Sequence, residues 1–124
     1  MAPTLLVALG GALGSVGRYW TGVVCAQAFG LDFPLGTLVI NILGSFVIGL
    51  ADALLPGAST RALVMVGLCG GYTTFSSFSL QTLELARGGH MLGAALNIVL
   101  SVSLCLAATL LGMQAGLGMR GAMP

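Results

Sequence analysis

An apolar segment beyond the middle of the chain contains the stretch Gly70-Gly71-Tyr72-Thr73-Thr74-Phe75-Ser76-Ser77-Phe78-Ser79. Two adjacent glycines destabilise an α-helix by roughly 1 kcal/mol each relative to alanine. The glycine pair therefore predicts a break in this helix, which would release backbone carbonyls. Non-helical backbone at membrane depth is tolerated only where it is buried in protein or lines a wet cavity. A flexible or closely packed helix is the alternative interpretation.

The same stretch carries two aromatic rings. Phe75 and Phe78 are three residues apart and therefore share a helix face. A phenyl ring has an electropositive edge, and hydroxyl side chains flank both rings, so the pair could hold a small anion without a formal cation. The alternative is that both rings pack in a core or against lipid.

Composition indicates that the surroundings of this stretch are lipid. Of 124 residues, 57% are hydrophobic and 6% are charged, whereas about 25% are charged in an ordinary soluble protein. So few charges cannot keep a soluble globule dispersed, which excludes a soluble enzyme. The four positive charges are all arginines and form no basic patch for nucleic acid. The 20 glycines indicate helices that pack closely in a membrane.

The chain divides into four apolar segments, each near the 20 residues that a membrane-spanning helix needs. We predict an all-α membrane protein with one domain over residues 1–124. Its spans would cover approximately residues 4–29, 34–55, 61–85 and 91–113. An even number of spans places both termini on one side of the membrane.

Arginines in the loops give almost no preference for one orientation. Arg61 and Arg120 flank the spans on the side of the termini, and Arg87 lies on the other side. Because orientation follows the imbalance of Lys and Arg, this near balance predicts that the chain inserts both ways. An antiparallel dimer would then imitate the inverted repeats of larger transporters.

Polar side chains spaced four residues apart form two stripes, one on the second span and one on the fourth. The members are Thr37, Asn41 and Ser45 on the second span, and Asn97, Ser101, Cys105 and Thr109 on the fourth. Hydrogen bonds between helices are one interpretation of each stripe. Two stripes in so short a chain favour a polar pathway.

An arginine in span one and two glycine pairs, one in span one and one in span three, are further signals. Arg18 either has a function within the membrane or extends its side chain to the interface. Gly10 with Gly14, and Gly67 with Gly71, each fit the GxxxG pattern of close helix packing. We assign no metal-binding or redox role to the three cysteines or to the single histidine.

Three motifs resemble the Fluc (CrcB) family of fluoride channels over essentially the whole chain. The first is Gly10-Gly11-Ala12-Leu13-Gly14 followed by Arg18-Tyr19, and the second is Gly36-Thr37-Leu38-Val39-Ile40-Asn41-Ile42-Leu43-Gly44-Ser45-Phe46. The third is the stretch from Gly70 to Ser79, which is similar to the family's broken third helix. Two positions depart from the family pattern: Gln81 stands where glutamate is common, and Cys105 where a hydroxyl is common.

The resemblance implies a fluoride-selective channel that works as an antiparallel homodimer with two pores in the bacterial inner (plasma) membrane. It implies that the pore is lined by Phe75, Phe78, Asn41, Thr37, Thr74 and Ser101. Arg18 would attract anions at a vestibule. The backbone carbonyls of Gly70 and Thr73 from both subunits would bind a structural sodium ion (Na⁺).

Two other membrane functions and catalysis compete with this interpretation. A small dual-topology multidrug exporter would need an intramembrane carboxylate, typically in span one, and span one has none. A non-transporting membrane subunit would not need the Thr-Thr-Phe-Ser-Ser-Phe run. Catalysis has no support, since the chain offers one histidine and no nucleophile beside a base.

Overall fold

The computed structural model describes residues 2–30 and 32–122. Within these ranges the chain is helical and has no β-strand, which confirms the all-α prediction. The elements in order are α1 (Ala2–Phe29), α2 (Leu35–Leu54), α3 (Ala58–Arg61), the π-helix π1 (Ala62–Cys69), α4 (Gly70–Tyr72), α5 (Phe75–Arg87) and α6 (Met91–Gly121).

Three stretches within the described ranges are long and apolar enough to cross a membrane. They are Leu35–Leu54, Ala58–Arg87 and Met91–Gly121. Helix α1 has 28 residues and matches the predicted first span in position. Arg18 and the glycines of α1 lower the mean hydropathy of this helix, so α1 is not among the three stretches. The count of four spans remains a prediction.

The break in the third helical segment lies three residues after the predicted position. Gly70 and Gly71 are helical, and the chain becomes extended at Thr73 (φ −80°, ψ 158°) and Thr74 (φ −150°, ψ 115°). The prediction of a break is therefore confirmed, and its placement at the glycine pair is wrong. The reason is that Gly71 serves helix packing rather than flexibility.

Glycines bring α1 into backbone contact with π1 and α4. A Cβ atom on Gly71 would lie 2.5 Å from the carbonyl oxygen of Gly11 and 2.9 Å from its Cα. A Cβ on Gly14 would overlap the carbonyl oxygen of Leu68, and one on Gly10 would overlap that of Leu63. The two predicted GxxxG pairs therefore form opposite sides of one helix contact. Thr21 adds a polar link, since its Oγ1 lies 3.1 Å from the Tyr72 hydroxyl.

Helices α2 and α6 form the other close pair, again through small residues. A Cβ on Gly49 would overlap the carbonyl oxygen of Thr109, and one on Gly112 would overlap that of Phe46. The buried apolar residues are mostly small, and they are Cys25, Leu38, Ile40, Ala51, Ala53, Cys69, Ala94 and Ala108. Large apolar side chains instead cover the outside of α1 and α6. This distribution suits a protein whose solvent is lipid.

A charged contact closes the turn between α2 and α3. Arg61 forms an ion pair with Asp52. Its guanidinium also donates to the backbone carbonyls of Asp52 (3.3 Å) and Leu55 (3.2 Å). Arg61 thus satisfies carbonyls at the C-terminal end of α2, where a cation complements the helix dipole.

Candidate functional site

The helix break is held by a side chain from α2. Asn41 Oδ1 accepts a hydrogen bond from the backbone N–H of Thr74 (2.8 Å), and Asn41 Nδ2 donates to the backbone carbonyl of Thr74 (3.0 Å). The carboxamide therefore satisfies the backbone N–H that leaves the helical pattern and adds a second donor to the Thr74 carbonyl, which also begins the hydrogen bonding of α5. Thr74 is 7% exposed, so without Asn41 its N–H would be buried and unpaired.

Beyond the break, Thr74 begins the next helix. Its Oγ1 accepts from the backbone N–H of Ser77 (3.2 Å), which is the N-cap geometry of α5. The same hydroxyl donates to Ser77 Oγ (3.1 Å). The hydroxyl run that the sequence singles out thus has a local function, which is to start α5 beside the break. The N-terminus of α5 carries the positive end of its dipole.

On the other side of the break, Arg18 reaches the released backbone from α1. Its Nη1 donates to the carbonyl of Thr73 at 3.3 Å. The partly buried guanidinium therefore bonds a main-chain oxygen of the break. The sequence singles out both residues but gives no signal that they meet.

At the break, the Gly70 carbonyl oxygen loses its usual helical donor, whereas the preceding Cys69 carbonyl keeps its own. Cys69 still accepts from the Thr73 N–H (2.9 Å) and from Thr73 Oγ1 (2.8 Å). The next amide, that of Thr74, donates to Asn41 instead of continuing the helix to Gly70. Gly70 and Thr73 consequently present main-chain oxygens at the negative, C-terminal end of a helix.

The two phenylalanines lie together on the first turn of α5. Their ring centroids are 5.3 Å apart and the ring planes are inclined by 47°. Phe75 is 78% exposed on the single protomer, whereas Phe78 is half-buried. The predicted shared face is therefore confirmed, and one ring projects away from the protomer.

A cavity of about 370 Å³ lies at the break, between α2, π1, α4, α5 and α6. Its lining brings together seven residues that the sequence assigns to a pore or a cation site: Asn41, Gly70, Thr73, Thr74, Phe75, Phe78 and Ser101. Ser45 and Cys105, from the two polar stripes, complete its polar surface. No ionised side chain lies among the described residues of this lining.

Two predicted site residues lie outside this lining. Thr37, one turn before Asn41, lines a neighbouring cavity of about 470 Å³ together with Gln81, Glu84 and His90. Arg18 contacts the break from the side of α1. The two cavities follow successive turns of α2 and α5, because Thr37 precedes Asn41 by one turn and Gln81 follows Phe78 by one turn.

Sequence reasoning missed one polar residue close to the rings. Thr82 is half-buried, donates to the carbonyl of Phe78 (2.7 Å) and accepts from Asn97 Nδ2 (2.8 Å). Its position four residues after Phe78 is the signal that could have identified it, since it shares that helix face.

Comparison with known proteins shows the family of the chain. The family described as CrcB-like protein, Camphor Resistance (CrcB), matches residues 5–113. The chain belongs to this family. The resemblance inferred from the three sequence motifs is thereby confirmed, and CrcB-family membership extends over nearly all of the described helices.

Curated relatives of this CrcB-family chain carry the name of a channel rather than of an enzyme. A protein of Rhodospirillum rubrum is 58% identical over 116 residues, which are 87% of this chain and 89% of the relative. One of Opitutus terrae is 51% identical and covers 96% of both chains, and one of Paramagnetospirillum magneticum is 53% identical over 86% of this chain and 89% of the relative. Each is named "Fluoride-specific ion channel FluC".

Proposed function

We propose that this chain is a fluoride-selective ion channel that lets fluoride leave the cell passively and so protects against fluoride toxicity. The cavity at the break, whose mostly apolar lining carries a few uncharged polar groups and a pair of phenylalanine rings, is the observation that carries the proposal. The names of the relatives support the same function.

The chemistry of the cavity suits a small, strongly hydrated anion. Hydroxyl donors from Ser45 and Ser101, together with electropositive ring edges, offset the loss of hydration. The N-terminus of α5 adds a positive partial charge at the same place. Because no ionised side chain lines the described cavity, the ion meets no deep electrostatic trap. Binding strong enough to admit an ion and weak enough to release it is the requirement for conduction.

The working unit in this proposal is an antiparallel homodimer with two pores. A single protomer leaves Phe75 exposed at the edge of the cavity, so a second copy would complete the lining. The near balance of Arg61 and Arg120 against Arg87 supports insertion of the chain in both orientations. Its membrane would be the inner membrane of a bacterial cell, crossed four times by each chain.

A structural sodium ion is also part of the proposal, and the residues at the break fit it. Among the described residues no group of three His, Cys, Asp or Glu side chains forms a metal site, so a cation would depend on backbone oxygens. The carbonyls of Gly70 and Thr73 are the candidates, since hard cations prefer oxygen ligands and both lie at a helix C-terminus. When bound, sodium would neutralise these carbonyl dipoles. The Thr73 carbonyl also accepts a hydrogen bond from Arg18 at 3.3 Å.

Reconstitution tests the proposed function. The purified protein is incorporated into liposomes loaded with potassium fluoride or potassium chloride, and efflux is followed with an ion-selective electrode. The proposal predicts rapid fluoride efflux and negligible chloride efflux. Equal efflux of the two anions, or none of either from a folded protein, would overturn it.

A further inference from the structure

Asn97 is the largest side chain that is fully buried in the described part of the chain. It lies on α6 and is 2% exposed. A carboxamide without hydrogen-bond partners costs free energy when it is buried in a protein, so its partner is informative. Its Nδ2 donates to Thr82 Oγ1 on α5 at 2.8 Å. This bond is therefore a buried polar link between the two helices.

The link continues to the backbone of a ring-bearing residue. Thr82 Oγ1 accepts from Asn97 and donates to the carbonyl of Phe78 at 2.7 Å. Two hydrogen bonds in series thus connect α6 to the main chain that carries the Phe78 ring. Asn97 and Thr82 both lie outside the lining of the cavity at the break, so neither side chain is placed to touch an ion there.

Helix α5 is tied to α6 at its C-terminal end by the turn over residues 88–90, where the His90 N–H donates to the Leu85 carbonyl (2.8 Å). None of the residues of α5 is fully buried. Its N-terminus is held by the bonds between Asn41 and Thr74, which are a first side-chain anchor. Thr82, two turns later, is a second anchor, since its bond to Asn97 limits rotation of α5 about the helix axis. Because Phe78 lies between the two anchors, its ring direction depends on both.

We propose that Asn97 is a positioning residue, which sets the direction of the Phe78 ring through Thr82 and thereby sets discrimination between fluoride and chloride. This inference rests on the proposed channel function. A residue that only joins helices would affect stability alone, whereas a positioning residue affects the ratio of the two ion fluxes in protein that remains folded.

Two substitutions test the inference from opposite sides of the link. Asn97→Leu keeps the branching and the number of side-chain heavy atoms and removes the donor, and Thr82→Val keeps the shape of the side chain and removes the hydroxyl. The matched control is Thr21→Val, which also removes a bond to its own helix (Gly17 carbonyl, 2.9 Å) and a contact with another helix (Tyr72 hydroxyl), away from the rings. Fluoride and chloride efflux from liposomes and the melting temperature are measured on the same preparations.

We expect Asn97→Leu and Thr82→Val each to lower the fluoride-to-chloride flux ratio by about tenfold, the scale of one hydrogen bond. The double variant should lose no more than the larger single loss, since both changes cut one link. Thr21→Val should keep the wild-type ratio. A wild-type ratio in folded Thr82→Val would overturn the inference, as would fully additive losses in the double variant. Absence of fluoride flux in the wild-type protein would instead contradict the channel function itself.

Discussion

Asn41 on α2 forms hydrogen bonds with both backbone groups of Thr74, at 2.8 Å to the N–H and 3.0 Å to the carbonyl. One carboxamide thus replaces the main-chain acceptor that a continuous helix would have supplied to the Thr74 N–H, and it adds a donor to the Thr74 carbonyl. The position of the helix break is consequently specified by a residue 33 positions away, and the break positions α5 with its two rings.

Replacement of Asn41 should destabilise the protein. In Asn41→Leu, the buried N–H of Thr74 loses its partner and the Thr74 carbonyl loses one of its two donors, and an unpaired buried group costs about 1–3 kcal/mol. We expect a clear fall in the melting temperature in detergent, followed by fluorescence-detected size exclusion. Ser45→Ala, one turn further on the same face of α2, is the control and should melt near the wild-type temperature. Equal melting of Asn41→Leu and wild-type protein would contradict the assigned bonds.

Two glycines of α1 should respond to alanine in opposite directions. A Cβ on Gly14 would overlap the carbonyl oxygen of Leu68, so Gly14→Ala must push α1 away from π1. A Cβ on Gly22 would meet nothing within 4 Å. Alanine favours a helix by about 1 kcal/mol relative to glycine, so Gly22→Ala should leave stability unchanged or raise it. Thermal stability of both variants in the same detergent tests this, and a Gly14→Ala protein as stable as Gly22→Ala would disprove the backbone contact.

Sodium should stabilise the assembled protein. A ligand that binds only the native assembly adds stability that grows with its concentration. Replacement of sodium by N-methyl-D-glucamine at constant ionic strength should therefore lower the melting temperature of the dimer and slow fluoride efflux. Stability and efflux that are indifferent to complete sodium replacement would remove the ion assigned to the Gly70 and Thr73 carbonyls.

The chain should insert in both orientations. His90 is exposed in the turn before α6, so a cysteine at this position can be labelled from whichever side it faces. In a background without the native Cys25, Cys69 and Cys105, an impermeant thiol reagent should modify about half of His90→Cys in sealed vesicles. Full labelling after permeabilisation is the control. Labelling from one side only would exclude dual topology.

The sequence was sufficient for the helices and for most of the cavity. Hydropathy predicts α2 and the following segment, and the spacing of Phe75 and Phe78 places both rings on one helix face. Such features depend on local periodicity, which is visible in a single chain. That Asn41 lies beside the two rings was implied by the resemblance to the CrcB family. The glycine pairs likewise indicated close packing, and the structure assigns them to the contact of α1 with π1 and α4.

Pairings between distant side chains and backbone groups could not be predicted in the same way. The contact of Arg18 with the Thr73 carbonyl and the link from Asn97 to Thr82 depend on how the helices rotate against each other. For the same reason, the break lies at Thr73 and Thr74 and not at the glycine pair where it was predicted. A tertiary partner, Asn41, outweighed the local propensity of glycine.

The most direct test of the account is fluoride efflux through variants of the two ring positions. Phe75→Ile and Phe78→Ile keep apolar side chains of broadly similar bulk and remove the electropositive ring edge. Phe46→Ile on α2, outside the ring pair, is the control. Efflux is measured beside dimer elution on the same preparations. We predict that both ring variants elute as folded dimers and lose most of their fluoride flux, while Phe46→Ile retains it. Wild-type flux in both Phe75→Ile and Phe78→Ile would show that the rings only pack, and the proposed pathway at the helix break would be wrong.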